Sequence, residues 1–558
     1  MTADAEVAIV NADVLTMDAS APTTDAVAVR AGRVMAVGSA EVGTAIGPAT
    51  TVIDAGGGAV LPGINDAHLH FTATSMAAFG YVSVDAAVAP SWAQVAAILE
   101  RAEPGDDGWI RARGWDDVLI GPAQDQLLEV RRGVPLIAFD ATGHQLAANR
   151  AALERAGLNR GIEAPAGGVV GRKSGGEPTG VFQDGAMELL NRALPPIPQR
   201  TLREAMLAMQ RRLHAQGITS LTEPGLGPAS AGLLDGSGSV AALKLLGDLA
   251  EAGELTLRTT VLLLFAGTGG ADAAAVEAGL NSGLAREYTD RGLDPALLRI
   301  AGVKVFADGI PRSGTAWMTE PYGDHCTRGS LVVVGRSEKE RVEELGRILE
   351  LIDAAGLQAG IHATGDAATE TAVDALISRA NPALNRHYII HGAFSSDETL
   401  ARMARHGVGY STNPLIRHGA GDAMRRLLGD ARFTRHQPLH SASEAGIKFS
   451  LASDAPVAST DWRETIVAAV RRGTRTTTGA ADDPERIGGR RALAAMTADA
   501  AWQDRAEKAK GRIIPGMAAD LCVLSTPWPD DDRIEDLLEA DVTLTLAAGR
   551  TVHERALL

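Results

Sequence analysis

The chain has 558 residues, 45% of them hydrophobic and 22% charged, the balance of a soluble globular protein with room for one large barrel plus attachments or for two to four domains. A formal net charge of -16 repels phosphate backbones and argues against nucleic acid as a partner. The two cysteines, Cys326 and Cys522, are far apart and fit neither a disulfide framework nor a metal-type spacing.

Residues 1–16 lack a basic stretch followed by an apolar one, so no signal peptide is expected, no apolar run approaches membrane-spanning length, and a cytoplasmic location is the default. Residues 5–54 alternate short apolar segments (Val7–Val10, Ala26–Val29, Arg33–Val37) with turn residues such as Asn11, Gly32 and Gly38, which predicts a small β layer. Similar runs close the chain at 520–524, 542–546 and 550–553. The two strand-rich ends, 1–58 and 508–558, are therefore expected to build one composite β-sandwich.

After a Gly-rich turn at 56–58 comes Leu61-Pro62-Gly63-Ile64-Asn65-Asp66-Ala67-His68-Leu69-His70. Read as the end of a strand over 59–70, it puts His68 and His70 on one face, about 7 Å apart along the chain, with Asp66 below them. Two imidazoles so placed can grip one divalent cation. The alternative is two unrelated histidines at a strand end.

Residues 72–199 are too long for one connection. They mix a helical piece (Trp92–Arg101), a strand-like run (Val134–Phe139) and Gly-rich turns at 167–180, and are expected to form an inserted subdomain covering a barrel mouth. From Gly217 onward, apolar β-like runs alternate with amphipathic stretches. The runs at 217–223, 255–265, 300–308, 357–362, 387–391, 407–413 and 448–454, added to the opening strand, make eight. The expected fold is thus α/β: a (β/α)₈ TIM-like barrel over 59–71 and 200–507. Helices are predicted at 337–355 and 367–379.

Chemistry-bearing residues recur at the C-terminal ends of these runs: His68 and His70, Lys304, His362, His391 and Asp454. In such a barrel those ends share one mouth. Asp454, which ends an apolar strand, is the candidate to bind metal and carry a proton, with a helix N-cap as the alternative. Asp366 reads as an N-cap, and His387, a layer deeper than His391, as a structural residue.

The segments 66–70, 303–309, 362–367, 386–391 and 452–457 resemble the metal-dependent amidohydrolase superfamily, in particular the branch of N-substituted formamide deformylases (amidohydrolase family 3). Residues 511–521 are similar to that family's return into the β-sandwich. The resemblance implies a divalent-metal hydrolase, with zinc the expected ion. It implies His68, His70, Lys304, His362, His391 and Asp454 as metal ligands. Lys304 would be carboxylated and bridge two ions, or remain a plain ammonium beside one. His144 matches a motif of the family's insert and is a candidate substrate contact, as are Asp308, Tyr322 and His418. The expected reaction is hydrolysis of an amide-like C–N bond in a small molecule by metal-activated water, with Asp454 as proton shuttle. Deamination of a heterocycle on a similar site is the alternative, disfavoured because no glutamate follows His362 closely. A scaffold that has lost catalysis is disfavoured by the intact ligand set. A homo-oligomer is compatible with the fold class.

Overall fold

The computed structural model describes residues 4–141, 143, 145–158, 162–164, 168–191, 193–229, 238–267, 269–311, 314–323, 327–480 and 482–555. The chain divides into two compact units, one of residues 1–70, 210–227 and 246–558, the other of residues 71–209 and 228–245.

The first unit contains eight parallel strands in sequential order: β1 (Ile64–Asp66), β2 (Ile218–Leu226), β3 (Arg258–Leu263), β4 (Leu298–Phe306), β5 (Gln358–Ala363), β6 (Tyr388–His391), β7 (Gly409–Thr412) and β8 (Phe449–Leu451). These are the eight runs read from the sequence, arranged as a nearly closed TIM-like barrel. Strands β2, β5, β6, β7 and β8 are buried along their whole length, which is why they read as continuous apolar runs rather than as alternation.

The opening strand differs from its expectation in one respect. The stretch 59–70 is not one strand. Ala59–Pro62 pairs with Leu521–Leu524 and Asp13–Leu15, and only Ile64–Asp66 pairs with β2. The hand-over falls at Gly63, where a Cβ would lie 2.2 Å from the Thr219 hydroxyl and only glycine fits. Residues 67–70 lie beyond β1 yet stay laced on both sides. Leu69 N–H donates to Thr222 O (2.9 Å), His70 N–H to Ala455 O (3.0 Å), and Asp454 N–H to His68 O (2.8 Å). The last two bonds join the first and last barrel segments.

Two further sheets belong to this unit. One is drawn from both termini, in the order Arg550–Glu554, Val542–Ala547, Leu521–Leu524, Ala59–Pro62, Asp13–Leu15, Thr23–Thr24. The other is N-terminal: Arg33–Val37, Val27–Arg30, Val7–Val10, Thr51–Asp54. Their inner faces share a core of Ile9, Val27, Val29, Val60, Leu521, Val523 and Leu544, so the ends form a sandwich.

The predicted helices appear at Glu338–Ala354, capped by Ser337, and Asp366–Arg379. Gly365, not Asp366, is the cap of the second, and the Asp366 carboxylate instead accepts from Thr319 N–H (2.8 Å). The helix Asp397–His406 shows how local chemistry sets its ends. Ser396 accepts from Thr399 N–H, acids fill the first turn, bases fill the last, and Gly407 closes it at φ 69°.

The second unit carries a six-stranded sheet, ordered Gly168–Arg172, Pro178–Asp184, Gln145–Ala148, Leu136–Asp140, Ile110–Trp115, Val82–Ser83. Its core packs Val95 and Leu99 of the helix Trp92–Arg101 against Ile110, Ala112, Trp115, Leu136 and Ala138. No helix among the described residues is long and apolar enough to cross a membrane.

Candidate metal centre

The backbone stitches at the β1–β8 seam bring the side chains together. His68 Nε2 lies 3.2 Å and His70 Nε2 3.4 Å from the same oxygen, Asp454 Oδ1. One donor atom from each of His68, His70 and Asp454 lies within 4.8 Å of the others, and all three residues are buried. Asp66 holds the corner from beneath: its Oδ1 accepts from Ser453 N–H (3.1 Å) and His68 N–H (3.3 Å). Burial pushes the Asp66 carboxyl up to about 6.

The rings continue around the mouth. Centroid distances are 5.2 Å from His68 to His70, 5.7 Å from His68 to His391 and 4.7 Å from His391 to His362. The register explains the last pair, since Ala363 of β5 lies opposite His391 of β6. His391 Nδ1 lies 2.8 Å from Asn413 Oδ1, and a carbonyl oxygen there requires the Nδ1–H tautomer, leaving Nε2 as a lone-pair donor. His362 Nε2 faces Gly309 O at 3.1 Å, which by the same reasoning leaves Nδ1.

Lys304 of β4 is buried, its Nζ 4.8 Å over the Phe306 ring, and it makes no hydrogen bond or ion pair with the described residues. Burial lowers it to about 7, so much of it is neutral amine near neutral pH. Burial, aided by the charge of Lys304, also holds His68 well below the usual imidazole range, and burial with His391 does the same to His362. His391 falls to about 4 for the same first cause. Burial pushes Asp454 upward, but the His68 and His70 rings outweigh it and hold its carboxyl well below the usual carboxylate range. Neutral imidazoles around an ionised carboxylate are the donor forms that a divalent cation takes.

One observation tests the fit directly. Both ring nitrogens of His68 are buried without a hydrogen-bond partner, although Asp454 is close. A buried nitrogen left so is costly unless something else binds it. A divalent cation fits this donor set. His391 and Asp454 also hold left-handed backbone at φ 71° and 58°, a strained conformation for non-glycine residues that recurs at functional sites.

The other candidates fall differently. The Asp308 carboxylate is 3.8 Å from His362 Nε2 and accepts from the N–H groups of Trp317 (2.9 Å), Thr364 (2.9 Å) and Gly365 (2.8 Å), so it pins the segment after β4 to the end of β5. Burial raises it to about 7 against those bonds. Tyr322 is buried in an apolar cluster with Met318, Phe394 and Phe433, and its hydroxyl donates to Ala316 O (2.7 Å). His418 is exposed on the helix Pro414–Leu428. His144 lies outside the described residues. His387 is structural, accepting from Ala359 N–H (2.9 Å) and meeting Asp353 (2.9 Å).

Two participants escape sequence reasoning. Asn413 orients His391, and buried Glu223 on β2 lies 4.0 Å from His70 Nδ1. The signal for Glu223 was available, because the second apolar run ends on that carboxylate.

The chain is 29% identical to the N-substituted formamide deformylase of Arthrobacter pascens, over 100% of this chain and 99% of that one. It is 28% identical to Protein LONG AFTER FAR-RED 3 of Arabidopsis thaliana, over 98% and 92% of the two chains. The crystal structure of an uncharacterized metal-dependent hydrolase from Pyrococcus horikoshii OT3 has the same fold, with a TM-score of 0.73 at 21% identity over 98% of this chain and 100% of that one. The amidohydrolase family profile matches residues 51–553, almost the whole chain, and the protein belongs to that family.

Proposed function

We propose that this protein is a metal-dependent hydrolase of an amide-type C–N bond in a small molecule. The observation that carries the reading is the convergence of His68 and His70 on one oxygen of Asp454, with both His68 nitrogens otherwise unsatisfied. His68, His70, His362, His391 and Asp454 would hold the cation. Lys304 joins them as a neutral amine, or as a carbamate that recruits a second ion; zinc suits these donors. A divalent cation polarises a carbonyl oxygen and acidifies the water it binds.

The chain's own residues supply the rest. Asp454, ionised and backed by two imidazoles, takes a proton from the attacking water and delivers it to the leaving nitrogen. Asn413 keeps His391 in one tautomer, and Asp66 fixes the backbone of His68. Water adds to the carbonyl carbon, the C–N bond breaks, and a carboxylic acid and an amine leave. The name of the Arthrobacter relative makes N-substituted formamides the first substrates to assay.

The test is metal analysis of purified protein together with a panel of N-formyl and N-acyl amines, reading acid and amine release before and after chelation. One to two equivalents of divalent ion and chelator-sensitive release of both products are expected. Protein free of metal with chelator-insensitive turnover overturns the reading. Ammonia release from a heterocycle, with no acyl substrate turned over, replaces it with deamination.

A further inference from the structure

At the opposite end of the strands, where β3 and β4 begin, a cavity of about 30 Å³ is lined by Arg258, Thr260, Arg299, Ala506 and Lys510, among others. Three cationic side chains around so small a space need an explanation. The neighbouring charges pair off. Arg258 grips Asp520 through Nε (2.6 Å) and Nη2 (3.2 Å), Lys510 Nζ donates to Asp504 (2.7 Å), and Arg386 forms a two-pronged pair with Glu507 (2.8 Å each). Asp504 also accepts from Asn65 (2.7 Å) and Thr222 (2.9 Å).

Arg299 is left over. Its guanidinium makes no hydrogen bond or ion pair with the described residues, and Nη2 is fully buried. Arg505 next to it also lacks a carboxylate: its Nη2 donates to Asn385 O, and its Nε is buried and unpartnered. A guanidinium offers five N–H donors and cannot shed its charge, so burying one unmatched is costly.

We propose that this cavity binds one small inorganic anion, a halide such as chloride, against Arg299 with Lys510 and Arg258 alongside. The volume admits a monatomic ion with a water. The anion supplies the direct partner that Arg299 lacks, since the nearby carboxylates Asp504 and Glu507 are bonded to Lys510 and Arg386, and it ties the starts of β3 and β4 to the segment 504–510. Its role is stability of the barrel's N-terminal end, independent of the metal centre.

The experiment is thermal unfolding of the full chain at constant ionic strength, with sodium chloride or bromide exchanged for sodium gluconate, a bulky organic anion. Halide is expected to raise the midpoint by about 2–4 °C and to saturate, and Arg299→Gln is expected to abolish the difference between the salts. Crystals of the wild-type protein grown in bromide should show an anomalous peak within hydrogen-bonding distance of Arg299, a readout that stands even if the variant does not fold. Equal midpoints in halide and gluconate, or a cavity holding only water in bromide, overturns the proposal.

Discussion

Asn413 holds His391 by a 2.8 Å bond from Nδ1–H to Oδ1, and is itself held on two sides: its Nδ2 donates to Ala452 O (3.1 Å) and its own carbonyl accepts from Gln437 (2.6 Å). An imidazole fixed this way presents Nε2 without a rotamer search. Replacing Asn413 by Ala is expected to weaken metal binding by about 10–100-fold with the barrel intact, and Asn413→Asp to restore most of it. Competition with a chromogenic chelator measures this; unchanged affinity in Asn413→Ala would show that His391 is placed by other means.

Asp454 sits at φ 58°, a conformation that asparagine tolerates and β-branched residues do not. Asp454→Asn should therefore fold normally and lose turnover by about a hundredfold or more, because it keeps the shape and removes the base. Circular dichroism checks the first half and steady-state rates the second. Near-normal turnover would move the proton-carrying role to another residue.

Lys304 carries an amine into a buried position with no hydrogen-bond partner among the described residues. Lys304→Met has similar length and removes the polar head. The metal-free variant is expected to melt no lower than metal-free wild type, while its metal content falls by one equivalent if Lys304 bridges two ions. Paired melting curves and elemental analysis decide; a variant that keeps two ions refutes the bridge.

Metal-free protein should lose stability as pH falls from about 6.5 to about 4. His214, buried between Ile218 O (3.0 Å) and Thr256 (2.8 Å), is lowered to about 4 by burial, as is His391, and burial holds His68, His362 and His436 well below their ordinary value. In that window the unfolded chain binds protons that the folded one refuses, so acid favours unfolding. His214 alone accounts for about 3 kcal/mol by this route. Burial lowers His387 as well, which makes six such histidines; Asp308 and Asp66, raised by burial to about 7 and about 6, and Glu464, also raised by burial, act in the opposite sense, but they are three groups against six. Denaturant midpoints measured with chelator present should fall across the window, and a flat or rising profile contradicts the assignment.

The eight barrel strands were legible because buried parallel strands write themselves as apolar runs, and the grouping of His68, His70 and Asp454 because these residues lie at the ends of such runs. The split of 59–70 was not legible. Nothing in Leu61-Pro62-Gly63-Ile64 announces that the chain changes sheets, since both halves are equally apolar, and the Thr219 hydroxyl that requires glycine at 63 comes from a distant part of the chain. Asn413 was hidden for a similar cause: an asparagine before a proline reads as a helix start, and its side-chain partner on β6 lies 22 residues back.

The seam bonds between residues 68–70 and 454–455 have a consequence for how the protein is made. Asp454 leaves the ribosome 386 residues after His68, which at ordinary elongation speeds is roughly 20–80 s later. Through that interval the two histidines exist without the backbone partners that aim them, so a nascent chain cannot yet close a cation between His68, His70 and Asp454. A cation shared by His68, His70 and Asp454 would thus be captured only after Asp454 has emerged, and a chain truncated before residue 454 would lack this corner.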